Sequence, residues 1–287
     1  TKTVGIILPN FGNPFSSISL RGLPDAMYNH DCVPIILSAD HDEDLERYYL
    51  RTLVARGVDG VIIAGSAIGN EGIKALLKPN HISYLLFDQT DPVSGGDQII
   101  VDDERGGELA TTHLLSAGHT RIAVVVPENP SQNVKLRLAG YRSALYNRHV
   151  PFDPKLIFAT ILSKQGGRNV ADDIINSKAT AVFCANDEMA LGLIRGLQEA
   201  GKNVPNNISV IGYDDIDLDE YVAPHLTTIH QPIYDMGVWA SQMIMQRLQT
   251  PELAPQLKIV DVSLISRDSV KSLWTDEMQN GSYTKQS

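Results

Sequence analysis

Four short segments place amides, carboxylates and aromatic rings shortly after apolar runs. Asn13-Pro14-Phe15 follows the run at 4–8, and Asp88-Gln89 follows 83–87. Asn186-Asp187 follows Val182-Phe183-Cys184, and Gly212-Tyr213-Asp214-Asp215 follows Val210-Ile211. This set suits a polyol. Carboxylates and amides pair with hydroxyls, and an aromatic face packs on the C–H side of a sugar ring. Arg137, at the start of a helical stretch, adds a donor for ring or hydroxyl oxygens. Each residue also has a structural use. Asn13 can cap a helix begun by Pro14. Phe15 can be core, Asp88 and Asp214 turn residues, Asn186 or Asp187 an N-cap, and Arg137 half of a surface ion pair.

Catalysis has weaker support. Asp102-Asp103 and Asp214-Asp215 are doublets, but adjacent side chains at a strand end diverge, which makes poor acid pairs or metal ligands. His113 falls on a helix face and His119 after its cap, where structural roles are expected. The chain holds no G-x-S-x-G, P-loop, GxGxxG or HExxH motif. No enzyme activity, catalytic residue, metal or cofactor is expected.

The elements that must position these residues alternate. Apolar β-branched runs at 4–8, 33–37, 58–63, 83–87 and 99–101 read as strands, separated by helical periodicity at 14–30, 42–56 and 71–77. Pro24 inside the first helix should kink it or shift its start. A second set follows, with strands at 121–126, 156–159, 180–184 and 208–211 and helices at 103–117, 136–148, 166–176 and 187–200. Gly118 and Gly201 stand where left-handed caps belong. A long amphipathic helix at 231–249 and a strand at 259–265 close the pattern, and the polar tail after Lys271 is expected to fray. Continuous rather than alternating apolar runs mark strands covered on both faces, and strand–helix alternation implies right-handed βαβ units in parallel sheets. Ligands of such sheets sit beyond the carboxyl ends of the strands, where the four segments lie.

Composition sets outer limits. At 287 residues the chain is long enough for two lobes of about 100–150 residues each. Hydrophobic residues make up 43% and charged residues 20%, and no apolar run approaches a membrane span. The first residues lack a signal-peptide pattern. Cys32 and Cys184 read as buried free thiols, which fits a reducing cytoplasm. With 24 basic against 34 acidic residues, net charge −10, the chain by itself is ill suited to nucleic acid.

Several runs together resemble the lactose- and galactose-repressor family. They are 102–110 (Asp-Asp-Glu-Arg-Gly-Gly-Glu-Leu-Ala) with His113-Leu114, and Gly118-His119-Thr120-Arg121-Ile122-Ala123. Arg137-x-x-Gly140-Tyr141 and 184–192 (Cys-Ala-Asn-Asp-Glu-Met-Ala-Leu-Gly) follow, then Gly212-Tyr213-Asp214-Asp215 and 226–232 (Leu-Thr-Thr-Ile-His-Gln-Pro). The similarity runs from about Val4 to Asp268. It implies the type I fold of periplasmic sugar-binding proteins, an α/β chain of two doubly wound parallel-sheet lobes joined by three crossovers. One lobe is expected at 1–101 plus 229–261 and the other at 103–224 plus 262–272, with 273–287 a polar tail.

Carried over residue by residue, the family's pocket falls on Asn13, Phe15, Asp88, Gln89, Arg137, Asn186, Asp214 and Gln231, with Leu162 or Ser163 as a wall. Gln89 stands where pentose-binding relatives place an arginine, and Ser16 where a second aromatic is common. Ribose, another pentose, a hexose or a disaccharide therefore all stay open as effector. The resemblance further implies a cytoplasmic homodimer whose operator contact is made by an N-terminal helix-turn-helix headpiece, expected to lie outside this chain. Sugar bound between the lobes would switch its DNA affinity. The alternative is an extracytoplasmic sugar-binding receptor of a transporter.

Overall fold

A computed structural model of the protein describes residues 2–89 and 96–274. The chain opens with β1 (Thr3–Leu8), α1 (Pro14–Tyr28), β2 (Val33–Ser38), α2 (Glu43–Ala55), β3 (Gly60–Ala64), α3 (Gly69–Leu77), β4 (Ser83–Phe87) and β5 (Asp97–Val101). It continues with α4 (Asp103–Ser116), β6 (Ile122–Pro127), α5 (Gln132–Asn147), β7 (Ile157–Thr160), α6 (Lys164–Asn169), α7 (Ala171–Asn176), β8 (Ala181–Cys184), α8 (Asp187–Glu199), β9 (Ser209–Asp214) and β10 (Thr227–His230). The last elements are α9 (Ile233–Gln249), β11 (Leu257–Val260) and β12 (Ser263–Ile265).

These elements form two compact units. Thr1–Val101 with Pro232–Asp261 make the first, and Asp102–Gln231 with Val262–Ser287 the second. Each has one six-stranded sheet. The first sheet runs β11-β5-β4-β3-β1-β2, parallel throughout. The second runs β12-β10-β9-β8-β6-β7, parallel except that β12 pairs antiparallel with β10. The single strand expected at 259–265 is thus two strands, one in each sheet. In each sheet the chain order reverses around one strand, β1 in the first and β6 in the second. The crevice at such a reversal is where open α/β sheets take ligands.

Burial explains the sequence pattern. Every residue of β3, β6, β8 and β9 is buried, as expected for strands covered on both faces. Helix contacts depend on missing side chains. A Cβ on Gly107 of α4 would overlap the carbonyl of Arg137 on α5, and one on Gly140 would overlap that of Glu104. The α4 and α5 backbones therefore touch, which sets Asp103 against Arg137.

Three local expectations change. Helix α1 runs unbroken through Pro24, which stands in its last two turns beside Leu23, whose carbonyl accepts from Ser241 of α9. The helix expected at 166–176 divides at Val170 into α6 and α7. Beyond Lys271, Leu273 donates its N–H to the Ala117 carbonyl at 2.7 Å and Trp274 Nε1 donates to that of Ser116 at 2.8 Å. The start of the tail is tied to the end of α4, and its remainder lies outside the described residues.

Candidate functional site

In the second unit, β9 delivers Tyr213 and Asp214 to the carboxyl end of the sheet. Asp214 (φ 124°) and Asp215 (φ 61°) then take left-handed backbone, unusual for residues with a side chain. The two carboxylates diverge, as expected, and do different work. Asp215 is clamped, with Oδ2 2.8 Å from His230 Nδ1 and Oδ1 accepting from Arg267 Nη2 at 2.7 Å. Burial raises its pKa, but these partners outweigh it and hold the carboxyl below its usual range. Asp214 faces the other way. Its Oδ1 accepts from Gln231 Nε2 at 2.6 Å and lies 4.0 Å from Arg137 Nη1.

Arg137 is not the surface residue its type suggests. It is buried, with Nε donating to Asp103 Oδ1 at 2.7 Å and Nη1 to the Ala185 carbonyl at 2.6 Å. Its guanidinium lies 3.6 Å from the centroid of the Tyr213 ring. Burial works against its charge, but Asp103, Tyr213 and Asp214 hold its pKa above the ordinary arginine value. Gln231 is buried as well, and its Oε1 accepts no hydrogen bond among the described residues. A buried carbonyl oxygen without a donor is costly, so this atom keeps an acceptor capacity that the described residues leave unused. Asn186 caps α8, accepting from the Met189 N–H at 2.9 Å. Leu162 is exposed between β7 and α6, and Ser163 caps α6 through the Gly166 N–H.

The first unit has its own set. Asn13 caps α1 by accepting from the Phe15 N–H at 2.8 Å. The Phe15 ring lies 5.8 Å from that of buried Phe87 at the end of β4. Asp88 follows in left-handed backbone (φ 52°), its N–H donating to Ile99. Gln89 Oε1 accepts from the Ser66 N–H at 2.9 Å. Glu46, buried on α2, binds the same loop through the Ser66 hydroxyl and the Ala67 N–H. The arginine expected of pentose-binding relatives is thus replaced by an amide that braces a neighbouring loop.

Sequence reading missed three partners. Asp103 was visible only as half of a doublet. In the structure Asp102 caps α4 through the Arg105 N–H, while Asp103 turns inward to Arg137. Tyr213 as the platform under Arg137, and Glu46 as a loop anchor, had no sequence signal. Among the described residues no group of three or more His, Cys, Asp or Glu is placed to hold a metal ion, and no helix is long and apolar enough to cross a membrane. His119 is buried between Thr180 Oγ1 and the Lys271 carbonyl.

Residues 111–270 match the periplasmic binding protein-like domain family. The chain is 30% identical to the HTH-type transcriptional repressor PurR of Aliivibrio fischeri over 276 residues, 95% of this chain and 82% of that protein. The chain belongs to the LacI family of transcriptional regulators. It is 34% identical to catabolite control protein A of Streptococcus mutans, over 94% of this chain and 81% of that one. A LacI-family regulator from Enterococcus faecium, solved with bound ribose, is 43% identical with TM-score 0.89, covering 95% of this chain and all of that one. A ribose-bound regulator from Enterococcus faecalis is 37% identical with TM-score 0.87 at the same coverage. This LacI-family chain is the effector-binding core of a ligand-responsive transcriptional repressor. Its relatives are regulators rather than transport receptors, so the transporter alternative is set aside.

Proposed function

We propose that the effector is ribose, and that strand-end residues bind it. In the second unit these are Asp214, Gln231, Arg137, Asn186 and Leu162, and in the first Asn13, Phe15, Asp88 and Gln89. The observation that carries this reading is the buried Asp214–Gln231 pair beside Arg137, with the open Oε1 of Gln231. Paired carboxylate, amide and guanidinium groups recognise adjacent sugar hydroxyls. The two ribose-bound relatives support a pentose. Gln89, its oxygen held by Ser66, keeps its NH₂ group to donate in place of arginine. Isothermal calorimetry with a panel of sugars tests this. Ribose is expected to bind in the micromolar range and hexoses at least tenfold more weakly; a folded sample that gives no heat with ribose refutes it.

The protein works as a cytoplasmic homodimer that reads a two-fold operator through a helix-turn-helix segment, without catalysis or cofactor. A groove of about 380 Å³ in the second unit supports self-association. It is lined by the buried Leu191 and Ile194, the more exposed Leu218 and Val222, and the cations Lys164, Arg168 and Arg195. An exposed apolar groove rimmed by charge is typical of a protein contact. Analytical ultracentrifugation checks the point: a dimer is expected, and a charge on the exposed Leu218, as in Leu218→Glu, should yield monomers.

A further inference from the structure

Behind the Asp214–Asp215 turn lie two fully buried carboxyl groups, Asp187 at the start of α8 and Asp219 in the 3₁₀ turn Asp217–Glu220. Asp187 is well supplied with donors. Its Oδ2 accepts from the N–H of Asp215 at 2.6 Å and of Ile216 at 3.2 Å, and its Oδ1 from the Thr228 hydroxyl of β10 at 2.6 Å. A Cβ on Gly212 would overlap that same Oδ1, so the glycine lets the carboxylate reach the turn. Asp219 has no such support. Ile216, which donates to Asp187, accepts the Asp219 N–H at its carbonyl at 3.0 Å, and this sets the two carboxyl groups side by side, yet neither oxygen of Asp219 has a hydrogen-bond donor among the described residues. Two ionised carboxylates in contact, fully buried, would repel with no donor between them.

We propose that Asp187 and Asp219 share a single proton, carried by Asp219 and donated to Asp187, and that this acid pair holds the Asp214–Asp215 turn in its left-handed form. Asp187 and Asp219 are positioning residues, and that role rests on the reading of Asp214 as a sugar ligand. The charged neighbours act in both directions, and those that raise the Asp219 pKa prevail. Burial and the charge of Asp187 push Asp219 up to about 10, and Asp215 acts in the same direction. Arg267 pulls the other way, but it is already committed to Asp215 and Glu220, and His230 to Asp215. The Thr228 hydroxyl is spent on Asp187.

The proton has a measurable signature. Unfolded, Asp219 ionises near pH 4, so folding takes up one proton throughout the neutral range. A raised carboxyl pKa means stability is greatest at low pH and falls as pH rises towards 10. Asp219→Asn keeps a donor for Asp187 but has nothing to take up. In urea unfolding between pH 5 and 8, the ratio of folding constants, variant over wild type, should rise about tenfold per pH unit. A flat ratio overturns the shared proton. Should the variant fail to fold, infrared spectra of the wild type labelled at aspartate must show a protonated carboxyl at pH 7, and its absence overturns the proposal too.

Positioning is read separately with ribose. Asp219→Leu removes the donor and is expected to lower ribose affinity at least tenfold, while Asp219→Asn recovers most of it. Wild-type affinity in the leucine variant overturns the positioning role. If the wild type binds no ribose while the stability ratio climbs with pH, the sugar reading falls and the shared proton stands.

Discussion

The side-chain amide of Gln231 donates to Asp214 Oδ1 at 2.6 Å, joining the chain just past β10 to the end of β9. That bond orients the carboxylate and leaves Gln231 Oε1 buried with no donor among the described residues. Asp214→Ala should abolish ribose heat in calorimetry with the circular dichroism spectrum unchanged. Gln231→Leu, close in size but unable to orient Asp214, should weaken binding about 10–100-fold, the worth of one hydrogen bond to a charged group. Unaltered affinity in either variant removes that residue from the site.

The pair Arg137–Asp103 is buried, so removing one partner strands the other. Arg137→Met should cost about 3–5 kcal/mol in urea unfolding, because Asp103, whose pKa burial already raises, would be left buried without the cation that favours its charge. Arg137→Lys should also destabilise, since an ammonium cannot hold Asp103, the Ala185 carbonyl and the Tyr213 ring at once. Adding Asp103→Leu to Arg137→Met should recover part of the loss. A double variant no better than the single one would show that the ion pair is not what Arg137 supplies.

What could be read from sequence was what local physics writes there. Continuous apolar runs gave the buried parallel strands, and Asn13 before Pro14 gave a cap that the structure contains. Gly118, ending α4, takes the left-handed backbone (φ 92°) expected of it. Pairings set by tertiary packing were not legible. Arg137 and Asp103 are separated by 34 positions and meet because Gly107 and Gly140 let two helices touch. The stretch 259–265 reads as one strand, since nothing local reveals that β11 and β12 join different sheets. Asp187 looks like an ordinary N-cap acid until its burial is known, and nothing local marks Asp219 as its partner.

The close approach of α4 and α5 makes its own prediction. Gly107→Ala puts a methyl group into the Arg137 carbonyl, and backbone cannot swing aside as a side chain does. A loss of about 1–3 kcal/mol is expected from such overpacking. Because Arg137 moves with α5, ribose affinity should drop in the same variant. Calorimetry and thermal melts run on one sample check both effects, and a melting temperature equal to wild type would contradict the packing described here.

His119 gives a pH test of opposite sign to that of Asp219. The Lys271 carbonyl needs a donor, so Nε2 carries the proton, and Nδ1 accepts from the Thr180 hydroxyl. That is the neutral ring, and burial lowers its pKa below the ordinary histidine value. The unfolded chain takes a proton near pH 6.5 that the folded chain refuses. The resulting stability is present above pH 6.5 and is lost as pH falls below it. His119→Gln keeps a donor for Lys271 and does not titrate. Between pH 6.5 and 5, the folding constant of the variant relative to wild type should therefore climb, by at most tenfold per unit. His113, half-buried with its pKa lowered in the same way, is present in both proteins and cancels in the ratio. Parallel pH profiles for the two proteins would mean that His119 is protonated in the fold.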